Sequence, residues 1–182
     1  KTAVFISGTG SNLKNLINFS KTKKSPISID LIISNTIKAK GLKFANQYQI
    51  KKKIFNFKNI KTTEKKLFIL LKKNKIKFIC LAGFMKILSS KFIKQFNGKI
   101  INIHPSLLPR YKGLNTHSRA IQNKDKFSGC TVHYVTEKLD SGKIIMQKKI
   151  KILKKDTSSS LARKILKQEH KIYPKAILKI FN

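Results

Sequence analysis

Phe78-Ile79-Cys80-Leu81-Ala82 is a five-residue run without a polar side chain, closed by Gly83. A strand with one wet face alternates apolar and polar residues. A strand without polar residues needs cover on both faces, as in a parallel sheet held between layers of helix. Two more segments are nearly continuous apolar runs: Ala3-Val4-Phe5-Ile6-Ser7 and Ile29-Asp30-Leu31-Ile32-Ile33-Ser34. The segments between them have helical spacing, with Leu13, Leu16 and Ile17 in 11–20 and Leu67, Leu70 and Leu71 in 63–74. Residues 39–49 also read as helix, and a short strand is expected near 53–55. Alternating short strands and amphipathic helices predict an α/β fold.

Further along, 89–96 reads as helix and 99–103 as the next strand. Beyond Gly129 the character changes. The β-rich segments 131–135 and 143–152 flank a tight region at 137–142, which predicts an antiparallel pair at the sheet edge. Asp156-Thr157-Ser158-Ser159 can cap a last helix running from 158 to 180, which Pro174 is expected to interrupt or kink. At 182 residues the chain suits one domain with a substantial core.

No apolar run approaches the roughly 18 residues of a membrane span. Residues 1–10 read as a strand entering a glycine turn rather than a signal peptide, so a cytoplasmic location is expected. Cys80 and Cys130 lie in apolar segments and read as small buried hydrophobes, without disulfide or metal-ligand spacing. The formal charge of +34 could attract a polyanion. Its lysines, however, are scattered through nearly every element, and Arg110, Arg119 and Arg163 are the only arginines. Arginine is the fork-shaped donor suited to base edges. Abundant Lys, Ile, Asn and Phe is also what an AT-biased coding sequence yields, and that is the preferred reading of the charge.

The chemistry concentrates in Ile101-Asn102-Ile103-His104-Pro105-Ser106-Leu107-Leu108-Pro109. An apolar strand ends there in an amide and an imidazole, placed on one side by alternation and followed by a turn stiffened by proline. Asp140, one of seven acidic residues, sits in the turn Leu139-Asp140-Ser141-Gly142. A carboxylate beside His104 would hold its tautomer and favour imidazolium. Amide, imidazole and carboxylate together suit acyl transfer through a charged tetrahedral intermediate. Of the other histidines, His133 and His170 read as packed or surface residues, and His117 as structural or touching substrate. Near the amino terminus, Ser7-Gly8-Thr9-Gly10-Ser11-Asn12 joins a strand to a helix start, where backbone N–H groups can meet a phosphate. Phe84-Met85-Lys86-Ile87-Leu88 offers an apolar rim for a flat organic molecule.

In order along the chain, Ile6-Ser7-Gly8-Thr9-Gly10-Ser11-Asn12-Leu13, Leu81-Ala82-Gly83-Phe84-Met85-Lys86-Ile87-Leu88 and Asn102 to Pro109 resemble the phosphoribosylglycinamide formyltransferase family in its monofunctional bacterial form. So do Gly113-Leu114-Asn115-Thr116-His117, Val132-His133-Tyr134-Val135, Leu139-Asp140-Ser141-Gly142 and Gln168-Glu169-His170-Lys171-Ile172-Tyr173-Pro174. The resemblance implies a Rossmann-like formyltransferase fold, a mostly parallel sheet flanked by helices with an antiparallel edge near the carboxy-terminal part. It implies one domain over 1–182, with a nucleotide-phosphate half (1–100) and a catalytic and folate-binding half (101–182). It also implies formyl transfer from 10-formyltetrahydrofolate to the amine of 5-phosphoribosylglycinamide, a step of purine biosynthesis that needs no metal.

By the same resemblance Asn102, His104 and Asp140 match the catalytic trio. Gly10, Ser11, Asn12, Leu13 and Lys14, with Leu166, Lys167, Gln168 and Glu169, match the ribonucleotide-binding positions. Met85, Lys86, Ile87 and Leu88, with Asn102, Thr136, Glu137, Lys138, Leu139 and Asp140, match the folate-binding ones. The chain departs from the pattern at Ile60, where bacterial relatives carry an arginine, and at Leu166, where they carry a polar residue.

The expected partners are small-molecule substrates, with no specific nucleic acid and no membrane, in a monomer or homodimer. Methionyl-tRNA formyltransferase resembles the chain around Ser106-Leu107-Leu108-Pro109-Arg110, but it carries a tRNA-binding domain for which this length is expected to leave no room. Formyltetrahydrofolate hydrolase usually carries a regulatory domain as well. A non-catalytic basic nucleic-acid-binding protein keeping the fold is the alternative from another class.

Overall fold

The computed structural model describes residues 1–182. The chain forms two compact units, Lys1–Ile101 and Asn102–Asn182. Seven strands follow the order β3-β2-β1-β4-β5-β6-β7 in one mostly parallel sheet. They are β1 (Thr2–Ile6), β2 (Ile29–Ser34), β3 (Lys51–Ile54), β4 (Phe78–Leu81), β5 (Lys99–His104), β6 (Phe127–Tyr134) and β7 (Ile144–Lys151). The helices are α1 (Ser11–Ser20), α2 (Leu42–Gln47), α3 (Ile60–Lys73), α4 (Ser90–Gln95), α5 (Thr116–Gln122) and α6 (Ser158–Phe181).

In the first unit β1 pairs in parallel with β2 on one side and β4 on the other, and β2 pairs with β3. Every residue of β1 and β4 is buried, as apolar strands covered on both faces require. β3 is the exposed edge, and its Lys51-Lys52-Lys53 keeps that edge from adding another strand. Leu13, Leu16 and Ile17 bury the apolar stripe of α1, and Leu67 and Leu71 that of α3. α3 begins at Ile60 rather than at 63, because the Asn59 side chain accepts from Thr62 N at 3.1 Å and caps it there.

In the second unit β6 and β7 form the expected antiparallel pair, and β6 starts four residues earlier than its apolar run suggests. Gly129 permits this start: a Cβ there would lie 2.0 Å from the Lys148 carbonyl oxygen. α5 is a helix that the sequence pattern does not announce, with Thr116 and Ala120 its only buried residues. α6 starts in a capping box between Thr157 and Ser160. It runs unbroken through Pro174, against the expected interruption. Proline removes one ladder bond there, and buried Tyr173, Ala176 and Ile177 hold the turns on either side. No helix is long and apolar enough to cross a membrane.

Candidate active site

β5 ends by placing Asn102 and His104 two residues apart, and the β6–β7 connection brings Asp140 to them. His104 is 5% exposed. Its Nδ1 faces Asp140 Oδ2 at 3.4 Å, and its Nε2 donates to the Tyr111 carbonyl oxygen at 2.8 Å. A carbonyl only accepts, so Nε2 carries a hydrogen. A ring protonated at both nitrogens therefore finds an oxygen at each. Asp140 sits at φ 46°, the left-handed region, and its Oδ2 also accepts from Gly113 N at 2.9 Å. That bond ties the Asp140 turn to the segment after His104.

The turn after β5 is fastened from β6. The buried Thr131 hydroxyl donates to Ser106 O at 2.6 Å and accepts from Leu108 N at 3.1 Å. Gln147 Nε2 reaches Leu108 O at 2.8 Å. Ser106 Oγ donates to Arg110 O at 2.6 Å. Tyr111, whose carbonyl holds His104, is anchored through its hydroxyl to Asp125 at 2.7 Å and to Asn123 at 2.8 Å.

His133 joins this group, although its mid-strand position reads as ordinary packing. It is 2% exposed. Its Nε2 lies 3.2 Å from Asn102 Nδ2 and 3.6 Å from Asp140 Oδ1, and its Nδ1 lies 2.9 Å from Tyr134 O. Burial pushes its pKa below the ordinary histidine value, while Tyr134 O and Asp140 pull it back and His104 adds to the lowering. A signal for it existed. Thr131 and His133 are polar residues two apart on either side of apolar Val132, the pattern that reveals Asn102 and His104. His117 lies in α5, its Nδ1 buried without a partner; burial and then His104 push its pKa down.

In the first unit, two loops stand at the carboxyl ends of β1 and β4. Ser7 ties them together: its hydroxyl accepts from Met85 N at 2.7 Å and donates to Asn35 Oδ1 at 2.5 Å. Gly10 is the N-cap of α1 at φ 76° and gives that helix no side-chain cap. The conformation of Gly10 is demanded by packing. A Cβ there would lie 2.5 Å from Gly41 Cα, whereas one on Gly8 would meet nothing within 4 Å. Leu13 is wholly buried, so of the expected phosphate-site residues it can offer only its backbone; Ser11 is half-buried, Asn12 buried and Lys14 exposed.

In the rim after β4, Met85, Lys86 and Ile87 are exposed but Leu88 is in the core, which removes it as a lining side chain. Phe84 anchors that rim edge-to-face on Phe5 and Phe57. In the second unit Thr136, Glu137, Lys138 and Leu139 form an exposed run leading into Asp140. On α6, Lys167 is exposed, Leu166 and Gln168 are half-buried, and Glu169 is buried. Glu169 adds to the burial that pushes the Cys130 thiol up to about 12.

A neutral amide, an imidazole and a carboxylate converging beside a strand end are the equipment of an acyl-transferring α/β protein. The chain belongs to the formyl transferase family, whose model matches residues 1–177. It is 43% identical over 180 residues to the phosphoribosylglycinamide formyltransferase of Haemophilus influenzae, covering 97% of this chain and 85% of that one. It is 41% identical over 180 residues to the human trifunctional purine biosynthetic protein adenosine-3, covering 97% of this chain but only 18% of that protein. Among solved structures, phosphoribosylglycinamide formyltransferase from Bacillus halodurans superposes with a TM-score of 0.94 at 33% identity, covering all of this chain and 95% of that one.

Proposed function

We propose that this chain transfers the formyl group of 10-formyltetrahydrofolate to the amine of 5-phosphoribosylglycinamide, yielding the N-formyl ribonucleotide and tetrahydrofolate in purine biosynthesis. The observation that carries the reading is Asp140 facing His104, with Asn102 joined to the same carboxylate through His133, in a chain of this family. Asn102 presents an amide N–H to the formyl oxygen as negative charge grows there, where a preorganised donor is worth most. The same oxygen competes with the Tyr111 carbonyl for the His104 Nε2–H, and a charged acceptor binds that donor more strongly than a neutral one. His104, faced by Asp140, gives its Nε2 hydrogen to the departing folate nitrogen and is restored by the proton that the attacking amine sheds, directly or through a bound water. Transfer is direct. The Ser106 hydroxyl is committed to Arg110 O and the Cys130 thiol is held protonated by burial, so neither is armed as a nucleophile.

The helix start at Ser11 and Asn12, with the Leu13 backbone and Lys14, receives the ribonucleotide phosphate; Glu169 and its neighbours 166–168 serve the rest of that substrate. Exposed Met85, Lys86 and Ile87, and the run 136–140, serve the folate. Apolar Met85, Ile87 and Leu139 suit a flat ring, since each is more than half exposed.

The test is formyl transfer from 10-formyltetrahydrofolate to the ribonucleotide and to charged initiator tRNA, run in parallel at roughly 0.15 M salt, where long-range attraction to a polyanion is screened. Transfer to the ribonucleotide alone is expected. Preferential formylation of the tRNA would overturn the proposal.

A further inference from the structure

We propose that His133 is the positioning residue for Asn102: a neutral ring, hydrogen on Nδ1, whose Nε2 lone pair holds the Asn102 amide nitrogen. The inference rests on reading Asn102 as the oxyanion donor. Its geometric part stands without that reading.

One contact dictates the tautomer and a second agrees with it. The Tyr134 carbonyl, 2.9 Å from Nδ1, can only accept, so Nδ1 must carry a hydrogen. The Asn102 amide nitrogen, 3.2 Å from Nε2, can only donate, so Nε2 must offer its lone pair. Only the neutral Nδ1–H ring meets both demands. The two ends of an asparagine amide are nearly the same size, so packing alone does not decide which end is the donor. Here the lone pair of a buried ring decides it. A flipped amide would set Oδ1 against Nε2, two acceptors with no hydrogen between them. With the amide nitrogen held, its second N–H remains for a substrate oxygen.

The same arrangement explains what acid would do. The charged or titratable groups facing His133 are Asp140, from the β6–β7 connection, and His104, from β5. Glu169, on the helix packed against β6, acts on Cys130 of that strand. A proton on Nε2 would replace the lone pair that Asn102 needs, and the new N–H would turn to Asp140 Oδ1 at 3.6 Å. Asp140 would then divide its charge between His133 and His104. Protonation of one buried ring would thus release the amide and weaken the imidazole–carboxylate pair together.

Glutamine places an oxygen acceptor where Nε2 stands, whereas asparagine reaches only the Nδ1 position. The full chain is compared with its His133→Gln and His133→Asn variants. His133→Asn should lower kcat by about 10 to 10²-fold, less than outright loss of an oxyanion donor, with KM for either substrate moved far less. His133→Gln should recover most of that loss and shift the acid limb of the kcat profile to lower pH, because an amide does not titrate. Nitrogen NMR of histidine-labelled wild type, without substrates, should show His133 as the Nδ1–H tautomer at neutral pH. It should also show a coupling across the Asn102 hydrogen bond. A hydrogen on Nε2 at neutral pH overturns the proposal whatever the activity. So does equal impairment of both variants with an unchanged pH profile, which marks a merely structural residue. The expected tautomer and coupling in a chain that transfers no formyl group would support the pairing while overturning the assigned activity.

Discussion

Asp140→Asn isolates the charge of the carboxylate from its shape. Asp140 occupies the left-handed region at φ 46°, where asparagine is among the few residues that sit without penalty. The asparagine oxygen can keep the hydrogen bond from Gly113 N, so the turn should survive. What disappears is the negative charge 3.4 Å from His104 Nδ1, between side chains only 6% and 8% exposed. At that distance the contact is electrostatic more than a tight hydrogen bond. Burial keeps water from screening it. An interaction of a polar group with a charged partner contributes about 1.5–3 kcal/mol net. At about 1.4 kcal/mol per tenfold, that alone slows the chemical step by roughly 10 to 150-fold. If proton handling by His104 fails as well, the loss rises toward about 10⁴-fold. Single-turnover formyl transfer at saturating concentrations of both substrates measures this step directly, and thermal unfolding checks that the turn is intact. A variant within about threefold of wild type, folded and saturated, would refute the role given to Asp140.

The two glycines of the first loop should separate. Gly8→Val adds bulk to open space above the helix start, so it should raise KM for the ribonucleotide about tenfold or more and leave the folate and the melting temperature nearly unchanged. Gly10→Ala instead combines positive φ with a clash against Gly41, so it should cost about 1–3 kcal/mol in denaturant titrations, whatever happens to the phosphate. Stability should fall on acidification. His117, His133 and His170 all titrate below the ordinary value near 6.5, so the unfolded chain binds more protons, and denaturant midpoints should decline as pH drops through about 6.5. A midpoint that rises over that interval contradicts their burial as neutral rings. Asp156, held down to about 2 chiefly by the Lys164 hydrogen bond, contributes above its ordinary 3.8 and loses that share as pH falls from about 3.8 to about 2. Asp156→Asn should therefore lower the midpoint at pH 7 and change it little at pH 2.

The sheet was legible where a strand is apolar on both faces, because only a buried parallel strand tolerates Phe78 to Leu81 without a polar residue. It was less legible where backbone contacts decide. Gly129 extends β6 by approaching the Lys148 carbonyl, and no periodicity records that approach. α5 hid because seven residues with two buried positions leave no apolar stripe to read. Pro174 misled for the opposite reason: a local rule predicted a break, and tertiary burial of Tyr173, Ala176 and Ile177 overrode it. In the site, Asn102 and His104 stood out as polar residues in an apolar strand. His133 carried the same mark but looked like packing, since its partners are thirty-one residues behind it and seven ahead. Leu13 and Leu88 show the converse. Membership in a motif placed them beside substrate, whereas burial leaves their side chains in the core.

The charge imbalance makes the carboxylates the informative minority. Against 41 basic residues there are seven acidic ones. Asp30 accepts from Thr2 N and Ser28, Glu64 caps the segment leading into α4 through Ser89, and Asp125 pairs with Arg110. Asp156 holds Lys164, Glu169 faces Cys130, and Asp140 faces two histidines. Lysines, by contrast, populate exposed positions throughout, including both sheet edges: Lys51, Lys52 and Lys53 in β3, and Lys148, Lys149 and Lys151 in β7. There each one discourages strand addition, a use that requires no polyanionic partner. Acids are thus kept where a specific hydrogen bond or ion pair needs a carboxylate, and lysine fills the positions that ask only for solvation. On that reading Asp140 is informative because it is costly to place: a buried carboxylate between His104 and His133, in a chain with so few acids, is there for the imidazoles it faces.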